Sequence, residues 1–115
     1  DWSSDVCSSD LLLLNDGAVF DAVICQNDVL ARGCIEELER NGCRVPQDVA
    51  VIGHDNSPDY VSYAHPLLTS IDDNNEMLGR QAALCLLDAI AGHPHHGVER
   101  VPVKLIQRES TLPLD

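Results

Sequence analysis

The stretch RVPQDVAVIGHDNSPDYVSYAHPLLTSI fills positions 44 to 71 of this 115-residue chain, and its reading decides the fold. A turn at Val45-Pro46 leads into the apolar run Val49 to Gly53, which stops at His54-Asp55-Asn56. A second run, Leu67 to Ile71, follows a polar interval. A buried parallel strand reads as a near-continuous hydrophobic run, and in open α/β sheets ligands gather at the carboxyl ends of such strands. Asp55 therefore stands where a ligand is expected.

Working outward, Ala22 to Cys25 reads as an earlier strand with Asn27 and Asp28 at its exit. Asp28 is expected to cap a helix whose apolar stripe is Leu30, Ala31, Cys34, Ile35 and Leu38, ended by Asn41-Gly42. Ser57 to His65 reads as an irregular loop or a short helix, and Leu67 to Ile71 as a third strand. Asp72-Asp73-Asn74-Asn75 can cap a second helix carrying Leu78, Ala82, Cys85, Leu86 and Ala89, stopped by Gly92. Val101 to Gln107 alternates as a last strand. Strands alternating with helices predict an α/β fold, a mostly parallel sheet flanked by helices. Two long helices are too few to cover both faces of such a sheet, which suggests a piece of a larger α/β protein.

Residues 1–10 hold four Ser and three Asp without helical or strand period, and are read as a non-native or disordered tail ahead of a domain over 11–115. The 7 basic and 19 acidic residues give a net charge of −12, which repels phosphate backbones and anionic lipid, so the chain itself is not expected to bind nucleic acid or membrane. Five cysteines, none in a Cys-x-x-Cys pair, read as reduced thiols of a cytoplasmic protein. Leu11 to Leu14 is too short to span a bilayer.

No nucleophile elbow, glycine-rich phosphate loop or paired Cys and His is present, so neither catalysis nor a cofactor is expected. His93-Pro94-His95-His96 is read as a loop after a helix rather than a metal site. Asp55 can serve as a ligand acceptor or a turn cap, and Asn27 as a mixed donor and acceptor or a helix cap.

Taken in order, Asp21 to Asp28, Arg44 to Asn56, Leu68 to Ile71, Leu78-Gly79 and Gln107 to Thr111 together resemble the C-terminal part of the effector-binding domain of lac repressor/galactose repressor transcription regulators. Periplasmic sugar-binding proteins of transport systems share that fold and are the alternative. The resemblance implies a periplasmic-binding-protein-like (type I) subdomain, a small-molecule effector in a cleft between two subdomains, and a homodimer. It also implies that DNA is bound through a helix-turn-helix outside this stretch. Matched residue by residue, it assigns ligand binding to Asp55 and Asn27. Where sugar-responsive relatives carry a Gln or an aromatic residue, this chain has Asp72, Asp73, Asn74 and Asn75, which implies a more acidic cleft wall with Asp73 and Asn75 as further ligand-binding candidates. Tyr60, Val61 and Tyr63 offer an exposed patch as the candidate dimer interface. With Arg32 the nearest basic residue in sequence to the strand ends, a neutral sugar is the expected effector.

Overall fold

A computed structural model of the chain describes residue 17 and residues 19–94 and 96–111. The described elements run β1 (Ala22–Ile24), α1 (Asp28–Arg40), β2 (Ala50–His54), α2 (Pro58–Val61), β3 (Thr69–Asp72), α3 (Asn75–Ile90) and β4 (Lys104–Ile106). The expected tail, Cys7, Leu11 to Leu14 and His95 lie outside the described residues. The four strands form one sheet in the order β1-β2-β3-β4. β1, β2 and β3 run parallel, with Ile24 opposite Ile52 and His54 opposite Ile71, and β4 closes the sheet antiparallel to β3.

α1 covers one face of this sheet. Ala31, Cys34, Ile35 and Leu38 recur at helical spacing and are all buried, together with Val45, Val49, Val51, Val61 and Leu68. β2 alternates accordingly: Val51 and Gly53 are buried, while Ala50, Ile52 and His54 on the other face are only half-buried. The run that promised burial on both faces is thus covered on one among the described residues. Gly42, at a positive φ of 82°, follows Asn41 at the end of α1, where a left-handed residue is favoured.

Three expectations are corrected. The cap of α1 is Asn27, whose side chain accepts from the Leu30 amide at 2.9 Å, and Asp28 is the first helical residue with its carboxylate turned into the core. The Asp72 to Asn75 run supplies no side-chain cap to α3, because Asn74 at the cap position is left-handed and Asp72 Oδ1 binds the Asn74 amide instead. Val61 is no part of an exposed patch: it is buried in the core, since α2 turns it inward, and it leaves Tyr60 and Tyr63 outside. α3 forms where its spacing placed it but buries none of its residues, and Leu86, Leu87 and Ile90 are all at least 60% exposed.

At the amino edge, residues 108–111 wedge between β2 and β3. The Val51 amide donates to Ser110 O at 2.9 Å, Ser110 Oγ donates to Val51 O at 2.6 Å, and the Thr69 amide donates to Ser110 Oγ at 2.8 Å. This insertion satisfies buried backbone groups where β2 and β3 begin.

Candidate ligand-binding edge

β1, β2 and β3 all end at the same edge because they are parallel, so the residues that follow each strand converge there. Asn27 leaves β1, Asp55 leaves β2 and Asp73 leaves β3. The structure therefore brings Asn27 and Asp55 to one edge, on neighbouring strands, as the sequence predicted.

Asp55 is bound on both sides. Its amide donates to Ile71 O at 2.9 Å, and its Oδ1 lies 3.4 Å from His54 Nδ1. The other imidazole nitrogen, His54 Nε2, lies 3.3 Å from Asp73 Oδ1, so one histidine ring joins the carboxylates of two strand ends. One ligand atom from each of His54, Asp55 and Asp73 lies within 4.8 Å of the others, close enough for a metal ion to span. The two ring nitrogens, however, face different carboxylates, which is the geometry of a bridged imidazole rather than of one nitrogen aimed at a shared ion. Asn27 keeps its side-chain oxygen on the helix cap, and Asn75 opens α3 as an exposed residue.

The backbone at this edge is unusual. Asp55 has φ 98°, Asn56 φ 49° and Asn74 φ 55°, the positive-φ non-glycine residues of the described chain. Such residues cost on the order of 1–3 kcal/mol each and persist only where the surroundings over-determine them. Here the Asn56 amide donates to Ser70 Oγ at 3.0 Å and the Ser57 amide to Asp28 Oδ2 at 2.7 Å. The Asn56 side chain also donates to Asp72 Oδ2 at 3.2 Å and accepts from Arg108 at 2.7 Å.

Arg108 corrects the expectation that no basic residue comes near the strand ends: it arrives from 52 positions along the chain, beyond any local reading. Its guanidinium is committed to Asn56 Oδ1 and Leu68 O. Arg32, the nearest basic residue in sequence, is buried and holds the carbonyls of Tyr60, Val61 and Pro66, and burial lowers its pKa. Sequence reasoning missed His54 as well, although a titratable residue closing an apolar strand run was a visible signal. A separate surface hollow of about 820 Å³, lined among others by Val45, Pro46, His65, Leu67 and Glu109, lies at the amino edge, away from Asp55. Glu109 there is held below the usual carboxylate range by the Leu67 amide and then by His65.

The sheet is mostly parallel with acceptors gathered at its carboxyl edge, and residues 7–111 match the periplasmic binding protein-like domain. The chain belongs to that family, as it occurs in regulators of the lac repressor type. It is 39% identical over 94 residues to the HTH-type transcriptional repressor CytR of Escherichia coli (strain K12), covering 81% of this chain and 27% of the repressor. Among solved structures it is similar to a dimeric Lac repressor with an 11-residue C-terminal deletion, at TM-score 0.87 and 31% identity over 100% of this chain and 42% of that one. The CelR–cellobiose complex gives TM-score 0.83 and 33% identity over 94% of this chain and 33% of that one. The chain thus spans well under half the length of the relatives it matches, and these relatives are regulators rather than transport proteins.

Proposed function

We propose that this chain is the effector-sensing part of a transcriptional regulator, and that its strand-end edge holds a neutral, hydroxyl-rich ligand, a sugar. The observation that carries the reading is Asp55: a half-exposed carboxylate held in a left-handed turn at the exit of a central strand. Carboxylate oxygens accept from sugar hydroxyls, and a charged acceptor contributes about 1.5–3 kcal/mol per bond. Asp73, linked to Asp55 through His54, adds a second acceptor. Asn27 and Asn75 are assigned to the same wall with mixed donor and acceptor character. Two carboxylates repel a phosphate, and the guanidinium nearest the edge is already bound. The CelR–cellobiose complex supports a sugar, and the HTH-type name of CytR supports DNA binding through a part outside this chain. The dimeric Lac repressor supports a homodimer, with Tyr60 and Tyr63 as the candidate surface residues, and a regulator of this kind acts in the cytoplasm.

The test is a thermal-shift and calorimetry screen of the full-length regulator against cellobiose, lactose, ribose, galactose, a sugar phosphate and a purine nucleoside. A ligand that binds only the native state raises the unfolding temperature. A neutral sugar should stabilise the protein, and Asp55→Ala should weaken its binding by at least about tenfold, the loss of one charged hydrogen bond. Stabilisation only by the sugar phosphate or the nucleoside overturns the ligand class.

A further inference from the structure

We propose that Asp28 is the positioning residue of this ligand edge: buried beneath it, its carboxylate holds the turn that presents Asp55 and so sets effector affinity. The inference rests on the sensing role given above and deepens it.

Asp28 is 1% exposed, yet both of its carboxylate oxygens are used. Oδ2 accepts from the Ser57 amide at 2.7 Å and Oδ1 from Ser70 Oγ at 2.6 Å. Ser70 Oγ in turn accepts from the Asn56 amide at 3.0 Å. Three successive amides of the turn, at Asp55, Asn56 and Ser57, are thereby tied to Ile71 O, Ser70 Oγ and Asp28 Oδ2. Two of the three ties run through Asp28. The turn carries positive φ at Asp55 and at Asn56, so its shape depends on those ties rather than on local preference.

The chemistry calls for a carboxylate at this place. Both donors point at it, and an amide would turn a competing N–H toward one of them. The position, first in α1, sets the side chain at the positive end of the helix dipole, where acidic residues are favoured. Arg32 lies one helical turn on, and its positive charge interacts with Asp28. Gly53 completes the fit, because a side chain there would collide with Asp28 Oδ1. The core contacts of α1 come from Ala31, Cys34, Ile35 and Leu38, which leaves Asp28 to hold the turn.

The experiment measures, in the full-length regulator, the calorimetric affinity for whichever of cellobiose, lactose, ribose or galactose binds wild type most tightly, alongside the unliganded unfolding temperature. Asp28→Asn and Ser70→Ala should each weaken sugar binding by about tenfold, and Ser70→Thr, which keeps the hydroxyl, should stay within about twofold of wild type. Combined with Asp55→Asn, Asp28→Asn should add less than about twofold, because it acts through the residue already altered. A merely structural role would instead weaken binding equally in both backgrounds. The inference is overturned if Asp28→Asn and Ser70→Ala bind within twofold of wild type, if Ser70→Thr fails like Ser70→Ala, or if Asp28→Asn costs the same beside Asp55→Asn. Should Asp28→Asn not fold, the Ser70 pair decides. A wild type that binds none of the sugars overturns the sensing reading along with this one, whereas loss on Asp55→Asn alone overturns this inference only.

Discussion

Gly53→Ala is the substitution whose cost the structure defines most sharply. A Cβ built on Gly53 overlaps Asp28 Oδ1 and stands 3.0 Å from Leu68 Cδ2 and 3.3 Å from Ala31 Cβ. The neighbours cannot yield cheaply, since Leu68 and Ala31 are both fully buried and Asp28 is tied at both oxygens. Overpacking a closed core costs about 1–3 kcal/mol, and displacing the carboxylate from one partner costs about 1.5–3 kcal/mol more. The expected loss is about 2.5–6 kcal/mol, a large share of the roughly 5–15 kcal/mol that holds a typical domain. Urea denaturation of the full-length regulator, followed by circular dichroism, should show the midpoint falling with the slope unchanged. In an Asp28→Ala background the same change should cost at least about 1 kcal/mol less, because the atom it strikes is gone. A loss below about 1 kcal/mol for Gly53→Ala alone, or strict additivity with Asp28→Ala, would refute the reasoning.

Two further outcomes follow from the surface. Arg44 donates to Asp48 from its side chain and its backbone amide, which lowers the Asp48 pKa from 3.8 to about 2, so Asp48 adds stability above its unfolded value that is lost as pH falls from about 4 toward 2. Asp48→Asn should therefore lower the unfolding midpoint more at pH 5 than at pH 2.5, and an equal deficit at both would contradict the assignment. The isolated 115-residue chain, with Leu86, Leu87 and Ile90 uncovered on α3, should self-associate in light scattering at micromolar concentration. Leu86→Lys with Ile90→Lys should reduce that association, and unaltered association would place the sticky surface elsewhere.

Local patterns in the sequence carried the order of strands and helices, because each element is specified by its own periodicity. The stripe of α1 and the stop at Asn41-Gly42 were legible for that reason, as was the shared edge of Asn27 and Asp55, which needs only two parallel strands side by side. The contacts that shape the edge were not legible. Asp28 meets Ser70 across 42 positions and Arg108 meets Asn56 across 52, and no period in a sequence encodes such pairs. Val61 misled because a four-residue helix is too short to show which of its faces is apolar. The helical spacing of α3 placed the helix, but spacing does not name the surface that covers it.

The choice of residues at positive φ separates the ligand edge from the other turns of the chain. Where curvature alone is needed, as at Gly42 and Gly92, glycine supplies it without steric cost. After β2 and β3, however, Asp55, Asn56 and Asn74 adopt the same region with a Cβ in place, so the chain keeps polar side chains at the expense of backbone strain. At Asn56 the side chain offsets that strain through Asp72 and Arg108, whereas the half-exposed Asp55 carboxylate reaches His54 at 3.4 Å. Asp55→Gly and Asp55→Ala delete the same carboxylate and the same contact with His54, so the difference between them isolates the backbone. Asp55→Gly should be more stable than Asp55→Ala by about 1 kcal/mol, while both weaken sugar binding by at least about tenfold. Glycine relieves the turn but removes the carboxylate proposed above as the ligand acceptor. If the two variants unfold together, φ 98° at Asp55 stores no strain; if Asp55→Gly binds sugar as wild type does, the carboxylate is not the acceptor.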